Sequence, residues 1–139
     1  MNTGLLLYIP YRHLENRVMD AIRAAGFDVT LAQARLLQRL DPDGSRLTAL
    51  AEAAQVTKQT AGFLVDQLEK AGYVQRVPDP TDGRARLIQA TDKAREATPP
   101  AEAEIARIEA EWEAHVGKRR MAQLRETLEM LCEITDPYR

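Results

Sequence analysis

The sequence lacks the residues that would support a cross-linked, metal-bound or membrane-spanning protein. It has one cysteine, Cys132, which excludes an intramolecular disulfide framework and a multi-cysteine zinc site. No apolar run approaches the roughly 18 residues that a membrane span needs, and the amino terminus lacks the basic region of a secretion signal. Aromatic residues make up only 5%. We therefore expect a soluble cytoplasmic protein of packed helices that holds no metal and no cofactor.

Signals of enzyme chemistry are also missing. The two histidines, His13 and His115, lie far apart, and there is no nucleophile elbow, glycine-rich phosphate loop or His-x-x-x-His pair. The glutamates between residues 102 and 113 are typical of a solvated helix face. We expect no catalytic site.

Charge is nearly balanced overall but unevenly distributed. The chain has 19 Lys+Arg and 21 Asp+Glu, for a net charge of −2. Residues 46–91 carry six basic and five acidic residues, whereas residues 92–139 carry eight and eleven. A polyanion would therefore bind the middle of the chain.

The spacing of apolar residues predicts a first helix over residues 10–25, with Gly26 as its terminating residue. Pro10 either opens this helix or kinks a longer one that begins near Leu5. Its apolar stripe consists of Leu14, Val18 and Ile22.

Three helices and a turn are predicted for the middle of the chain. Thr30 and Gln33 form a capping box before a helix that buries three leucines, and residues 41–44 have turn chemistry. After a short helix from Thr48, Thr57 is the N-cap of a helix that stops at Gly72. The three leucines are Leu36, Leu37 and Leu40.

A hairpin is predicted next, with strands over residues 73–77 and 84–90 and a turn over residues 79–83. Helices followed by a hairpin with a polar tip are typical of a winged helix-turn-helix. The fold class is therefore mainly α with a small β-hairpin wing.

The last third of the chain is again helical, with interruptions at Pro99-Pro100 and Gly117. At the two prolines the helix either bends or restarts with Thr98 as its N-cap. Each segment carries an apolar stripe, which is fit to pack on the first helix or on a second subunit. The stripes are Ile105, Ile108, Trp112 and Val116, and Met121, Leu124, Leu128 and Leu131.

The first turn of the helix after Thr57 holds the candidate base-reading residues. Gln59 has the chemistry to pair with adenine, Lys58 to reach guanine or phosphate, and Thr57 and Thr60 to hydrogen-bond or touch a thymine methyl group. An ordinary exposed helix end has the same polar composition, so this alternative stays open.

The hairpin tip supplies the candidate wing contacts. Arg84 has the chemistry to enter the minor groove, Arg86 lies just behind it, and Asp82 is placed to hold Arg84 through a carboxylate pair. A solvated hairpin whose charges neutralise one another is the alternative.

Residues 47–91 resemble the multiple-antibiotic-resistance regulator (MarR) family. The similarity rests on Leu-Thr-Ala-Leu-Ala from Leu47, Val-Thr-Lys-Gln-Thr from Val56, Gly-Tyr-Val from Gly72 and Asp-Gly-Arg from Asp82. It implies a homodimer that binds a pseudo-palindromic double-stranded DNA operator, most often a repressor released by a small aromatic or anionic ligand. It also implies a DNA-binding domain over 30–91 and a dimerisation lobe over 1–29 and 92–139.

The chain departs from the family pattern at three places. Gly62 and Phe63 stand where the family often has a hydroxyl and an arginine or similar polar residue. Lys58 replaces a common arginine, and Pro99-Pro100 lies in the helix that connects the lobes.

The expected effector pocket centres on the first helix, where Tyr8, Tyr11 and His13 would line an apolar site. Packing of the two tyrosines in the core or dimer interface is the competing interpretation.

Two other functions remain open. A winged helix can serve protein contacts without reading DNA. A redox switch would act through Cys132, but its charged neighbours are acidic, which favours a small buried hydrophobe at the dimer seam. Those neighbours are Glu129, Glu133 and Asp136.

Overall fold

The computed structural model describes residues 1–138, and it is mainly helical with one two-stranded antiparallel sheet. This confirms the predicted fold class. The described chain divides into two compact units, residues 25–98 and residues 1–24 with 99–138. The elements are α1 (Thr3–Ala24), α2 (Leu31–Leu37), α3 (Leu47–Ala54), α4 (Lys58–Lys70), β1 (Val74–Asp79), β2 (Asp82–Ala90), α5 (Asp92–Arg95), α6 (Thr98–Val116) and α7 (Lys118–Thr135).

Side-chain caps fix where the helices of the 25–98 unit begin. The Thr30 hydroxyl accepts a hydrogen bond from the Gln33 amide at 3.2 Å, and the Gln33 side chain accepts one from the Thr30 amide at 3.1 Å. The Thr57 hydroxyl accepts one from the Thr60 amide at 3.0 Å. Both predicted caps are confirmed, and each satisfies amides that the first helical turn leaves unpaired.

The 25–98 unit has a continuous apolar core beneath α2, α3, α4 and the hairpin. Leu40, predicted to lie in α2, instead follows the end of that helix at Leu37 and is half-buried. The helix stops early because Arg39 and Leu40 hydrogen-bond three residues back, in a tight turn rather than an α-helix. The buried apolar side chains include Leu36, Leu50, Ala61, Leu64, Val65, Leu68, Tyr73, Val74 and Ile88.

The turn before α3 ties this part of the chain to the hairpin. The Gly44 amide donates to the Asp41 carbonyl at 2.9 Å, and Ser45 and Ile88 exchange two backbone hydrogen bonds at 2.8 and 2.9 Å. Gly44 has a φ of +102°, and a Cβ atom there would lie 2.9 Å from Gln89 Cγ. Glycine is required at this position by both backbone conformation and space.

The hairpin turn is shorter than predicted. Asp79 pairs with Asp82, so Pro80 and Thr81 alone form the turn that the sequence placed over residues 79–83. The register then shifts by three residues, because Pro78 pairs with Arg86. Residues 83–85 therefore bulge from β2 near the tip of the wing.

The first helix of the other unit is the longer of the two that the sequence predicted. α1 continues through Pro10 from Thr3, so the proline lies inside it. The chain restarts at Thr98, which follows a two-residue break after Arg95 and makes Pro99 an early helical residue. Gly117, with a φ of +93°, separates α6 from α7 as expected.

This unit buries few apolar side chains: Met19, Ile22, Ile108 and Met121. Arg17 on α1 joins α6 through Glu104, at 2.7 Å, and through Glu111. These ion pairs lower the pKa values of both carboxyl groups; for Glu104 the largest contribution comes from Arg107. Several residues of the two predicted C-terminal apolar stripes stay exposed, namely Val116, Leu124, Leu128 and Leu131. Six residues of α1 are exposed as well: Leu5, Leu6, Leu7, Tyr8, Ile9 and Tyr11.

Candidate nucleic-acid interface

The first turn of α4 presents its four predicted residues to solvent. Thr57, Lys58, Gln59 and Thr60 are all exposed. The two threonine hydroxyls lie 2.9 Å apart and hydrogen-bond to each other, which fixes both rotamers. Within residues 1–138, Lys58 and Gln59 make no side-chain hydrogen bond or ion pair, so both are available to an external partner.

Most acidic side chains near this turn are already paired. Arg76 on β1 donates to Asp66 and Glu69 of α4, each at 2.7 Å. These contacts raise the pKa of the Arg76 guanidinium, chiefly through the hydrogen bond to Asp66. In contrast, four exposed cations of this unit make no ion pair, side-chain hydrogen bond or ring contact among the described residues, so they are available to an external anion. They are Lys58, Lys70, Arg84 and Arg86.

Asp79 anchors the wing to the start of α3. Its buried carboxylate accepts from the Thr81 amide at 2.8 Å and the Thr81 hydroxyl at 2.7 Å. It also accepts from Arg46 Nε at 2.9 Å. The two Thr81 hydrogen bonds and the Arg46 charge lower the pKa of Asp79 to about 2. The hairpin tip is therefore held by charge-assisted contacts rather than by a core.

Asp82 does not hold Arg84 in the way that the sequence suggested. Its carboxylate accepts a hydrogen bond from the Arg84 backbone amide at 3.0 Å, and its other oxygen lies 3.9 Å from Arg46 Nη2. The expected carboxylate–guanidinium pair does not form because the β2 bulge places the amide, not the side chain, over Asp82. Asp82 thus orients the backbone of the wing, while the Arg84 and Arg86 side chains extend into solvent.

Sequence reasoning missed Arg46 and Asp79 as residues that position the wing. Asp79 followed two residues later by Thr81 is a recognisable signal, because an aspartate often accepts hydrogen bonds from the backbone two residues on. Nothing in the sequence indicated that Arg46, 33 residues away, would complete the contact.

Gly62 and Phe63, the two residues of α4 that differ from the family pattern, face different surroundings. A Cβ atom at Gly62 would lie 3.7 Å from Leu47 Cδ2, so this residue faces α3. Phe63 is 63% exposed and faces solvent.

The predicted effector residues all lie exposed on α1. Tyr8 and Tyr11 are one turn apart on a shared face, whereas His13 is about 200° around the helix from Tyr11. The Tyr11 hydroxyl donates to Glu15 at 2.6 Å, and the Arg12 guanidinium lies 5.4 Å from the Tyr8 ring centre. The helix brings the two tyrosines together, and it does not bring His13 to them.

Cys132 is exposed on α7. The burial that the sequence favoured for this thiol is therefore absent within the chain, and a second subunit would have to supply it.

The described chain, residues 1–138, also bears on membrane spanning and metal binding. None of its helices combines the length and apolar composition needed to cross a bilayer. Nor do three His, Cys, Asp or Glu side chains converge there in a way that could hold a metal ion.

Comparison with known proteins finds a family likeness over part of the chain. The sequence profile described as MarR family matches residues 27–85, which cover the helices and the wing tip described above. Over residues 27–85 the chain is similar to the MarR family. No curated protein sequence matches it.

Several solved structures share this fold across nearly the whole chain. The crystal structure of MarR matches with a TM-score of 0.76 and 23% identity over 97% of this chain and 98% of that one. CouR from Rhodococcus jostii RHA1, bound to p-coumaroyl-CoA, matches with a TM-score of 0.69 and 25% identity over 94% and 91%. The transcriptional regulator Tm0710 from Thermotoga maritima matches with a TM-score of 0.67 and 25% identity over 94% and 92%.

Proposed function

We propose that this protein is a MarR-family transcriptional regulator that binds double-stranded DNA sequence-specifically, as a homodimer on a pseudo-palindromic operator. The observation that carries the proposal is the first turn of α4. Its side chains are exposed, and Lys58 and Gln59 have no partner among residues 1–138. An α-helix fits the major groove, and these residue types match the hydrogen-bonding groups on base edges.

Each group at this surface has a distinct role in the proposal. Gln59 pairs with an adenine through its amide, and Lys58 reaches guanine or a backbone phosphate. The unpaired amides of the first turn of α4 favour phosphate at the same place. Arg84 and Arg86 on the wing approach the minor groove, where the potential is most negative. Asp82 and Asp79 act on the wing backbone and need no contact with DNA.

The homodimer is supported by the apolar side chains that α1 and α7 leave exposed in the single chain, such as Leu6 and Leu128. Apolar surface of this extent on two long helices is typical of a subunit interface. A two-fold dimer presents two copies of α4, which requires two half-sites related by the same symmetry.

We further propose that the protein is a repressor released by a small aromatic or anionic effector that contacts Tyr8 and Tyr11, without His13, which lies on another side of α1. The exposed phenol rings supply stacking surface, and Arg12 over the Tyr8 ring adds a positive charge. CouR binds p-coumaroyl-CoA, which has both an aromatic ring and anionic phosphates. Titrating p-coumaroyl-CoA into the protein–DNA complex tests this proposal, with coenzyme A alone as the control.

The first experiment is a selection from a random duplex library, followed by fluorescence anisotropy on the selected duplex and a scrambled one at two salt concentrations. We expect preferential binding of the selected duplex that weakens with salt, because phosphate contacts release counterions. Gln59→Ala should cost about 1–3 kcal/mol on the selected duplex and relax the preference at one base pair.

Gln123→Ala is the matched control, because Gln123 is an exposed glutamine of α7, outside the proposed interface. Equal loss in both variants would argue against a reading role for Gln59. Failure to select any duplex at low salt would favour a winged helix that serves protein contacts.

A further inference from the structure

Phe63 is a large apolar residue that lies exposed on the surface of the 25–98 unit. Within that unit it is the one large apolar side chain left exposed, at 63% of its surface. The other exposed large apolar residues lie on the helices of the other unit, such as Leu6 of α1 and Leu128 of α7. A phenylalanine gains roughly 1.5–3 kcal/mol when it is buried. Its exposed ring is therefore available to a partner outside the chain.

The geometry of α4 places Phe63 on the proposed base-reading side. Residues four apart differ by about 40° around a helix, so Phe63 lies one turn beyond Gln59 on the same face. The buried side of the helix is opposite, since Ala61, Leu64 and Val65 are in the core. Phe63 and Gln59 thus present one continuous strip to a ligand, with the polar end at the start of the helix.

An acidic residue of α4 lies beside this strip. Asp66, one turn beyond Phe63, carries a carboxylate held by Arg76 at 2.7 Å. A carboxylate is repelled by phosphates, and this one is fixed toward β1. Phe63 is therefore the apolar member of the strip closest to the first turn of α4.

We infer that Phe63 determines sequence specificity by packing against the C5-methyl group of thymine in the major groove. The inference rests on the proposed DNA-binding function and identifies the base that this part of the site selects. The thymine methyl is the apolar group that base edges display in the major groove, where α4 would lie. An apolar ring at this position reads that group, where a polar residue would read hydrogen-bonding atoms.

Replacing single thymines by deoxyuridine in a selected duplex tests this inference, because uracil lacks only the methyl group. For the wild type we expect at least one thymine whose replacement weakens binding about fourfold, the value for one apolar carbon removed from water. Phe63→Ala should lose the preference for thymine over uracil at that position. Phe63→Leu should keep part of it, because leucine retains an apolar side chain.

Both variants should fold normally, since the side chain is mostly exposed, and thermal unfolding checks this. If the wild type binds the selected duplex but no thymine is sensitive to the loss of its methyl, the role of Phe63 is wrong and DNA binding stands. The same holds if Phe63→Ala keeps every thymine preference of the wild type. If no duplex is bound at all, the proposed function fails and this inference fails with it.

Discussion

The two units of this protein use similar apolar patterns with opposite results. In residues 25–98 the leucines and valines of α2, α3 and α4 pack into a core, and Leu68 has no exposed surface. In the unit of α1, α6 and α7 the apolar positions recur just as regularly, yet Leu124, Leu128 and Leu131 remain exposed. Periodicity therefore predicts which face of a helix is apolar, but not whether the covering surface belongs to the same chain.

The units also differ in how polar groups hold them. Caps and turns with defined geometry fix the 25–98 unit, such as the Thr30 capping box and the Asp79 contacts of the wing. In the described part of the other unit, long side chains join the helices, as in the pairs from Arg17 to Glu104 and Glu111. The Arg17–Glu111 pair is exposed and such pairs contribute little free energy, and few apolar side chains are buried, so further stabilisation of that unit is expected from a second subunit.

The largest expected effect lies in the packed core. Leu68→Ala removes a fully buried side chain from α4 and should lower the free energy of unfolding by about 2–5 kcal/mol. Chemical denaturation measures this loss. The exposed Leu5→Ala is a comparison on the other unit, and an equal loss there would contradict the contrast between the units.

A charge on the exposed stripe of α7 tests the proposed dimer. Leu128→Glu should weaken dimerisation by about 2 kcal/mol, close to thirtyfold, because an unpaired carboxylate would enter an apolar interface. Sedimentation equilibrium measures the association constant. Glu126→Gln, an exposed change on the same helix, should leave that constant unaltered. A monomeric wild type would contradict the dimer itself.

Backbone geometry gives a smaller effect. Gly44→Ala should cost about 1–3 kcal/mol of folding free energy, since φ is +102° and the new Cβ would meet Gln89, Leu87 and the Ile88 carbonyl within 3.3 Å. Gly83→Ala is the matched control, because a Cβ there meets nothing within 4 Å. Comparable destabilisation of both variants would argue against the close approach of this turn to β2.

The smallest effect concerns the wing anchor and depends on pH. Folding lowers the pKa of Asp79 from 3.8 to about 2, so its ionised form stabilises the fold above pH 3.8 and this contribution is lost as the pH falls through about 2. Asp79→Asn should unfold at a lower temperature than the wild type at pH 7, and the gap should narrow from pH 4 towards pH 2. Asp43→Asn, at an exposed carboxylate, should show no such convergence. If the difference in unfolding temperature between Asp79→Asn and the wild type were the same at every pH, ionisation of Asp79 would be excluded as its cause.

Much of the fold could be predicted because the deciding interactions are local. The Thr30 and Thr57 caps, the turn at Gly44 and the break at Gly117 each depend on residues within one helical turn. The hairpin was placed correctly, but its turn was not, because the pairing of Asp79 with Asp82 depends on contacts across the two strands. The proposed base-reading residues follow from Thr57, since an N-cap fixes which residues form the exposed first turn.

The sequence by itself determined the order of helices and strands, the capped start of α4 and the apolar faces of α1 and α7. These follow from spacing, turn chemistry and side-chain size, which act between near neighbours. Only the tertiary structure decided that Asp79 holds Arg46, that Ser45 pairs with Ile88, and that Phe63 is the one large apolar side chain left exposed on its unit. Such contacts join residues far apart in the chain, and their geometry exists only once the helices and the hairpin have packed.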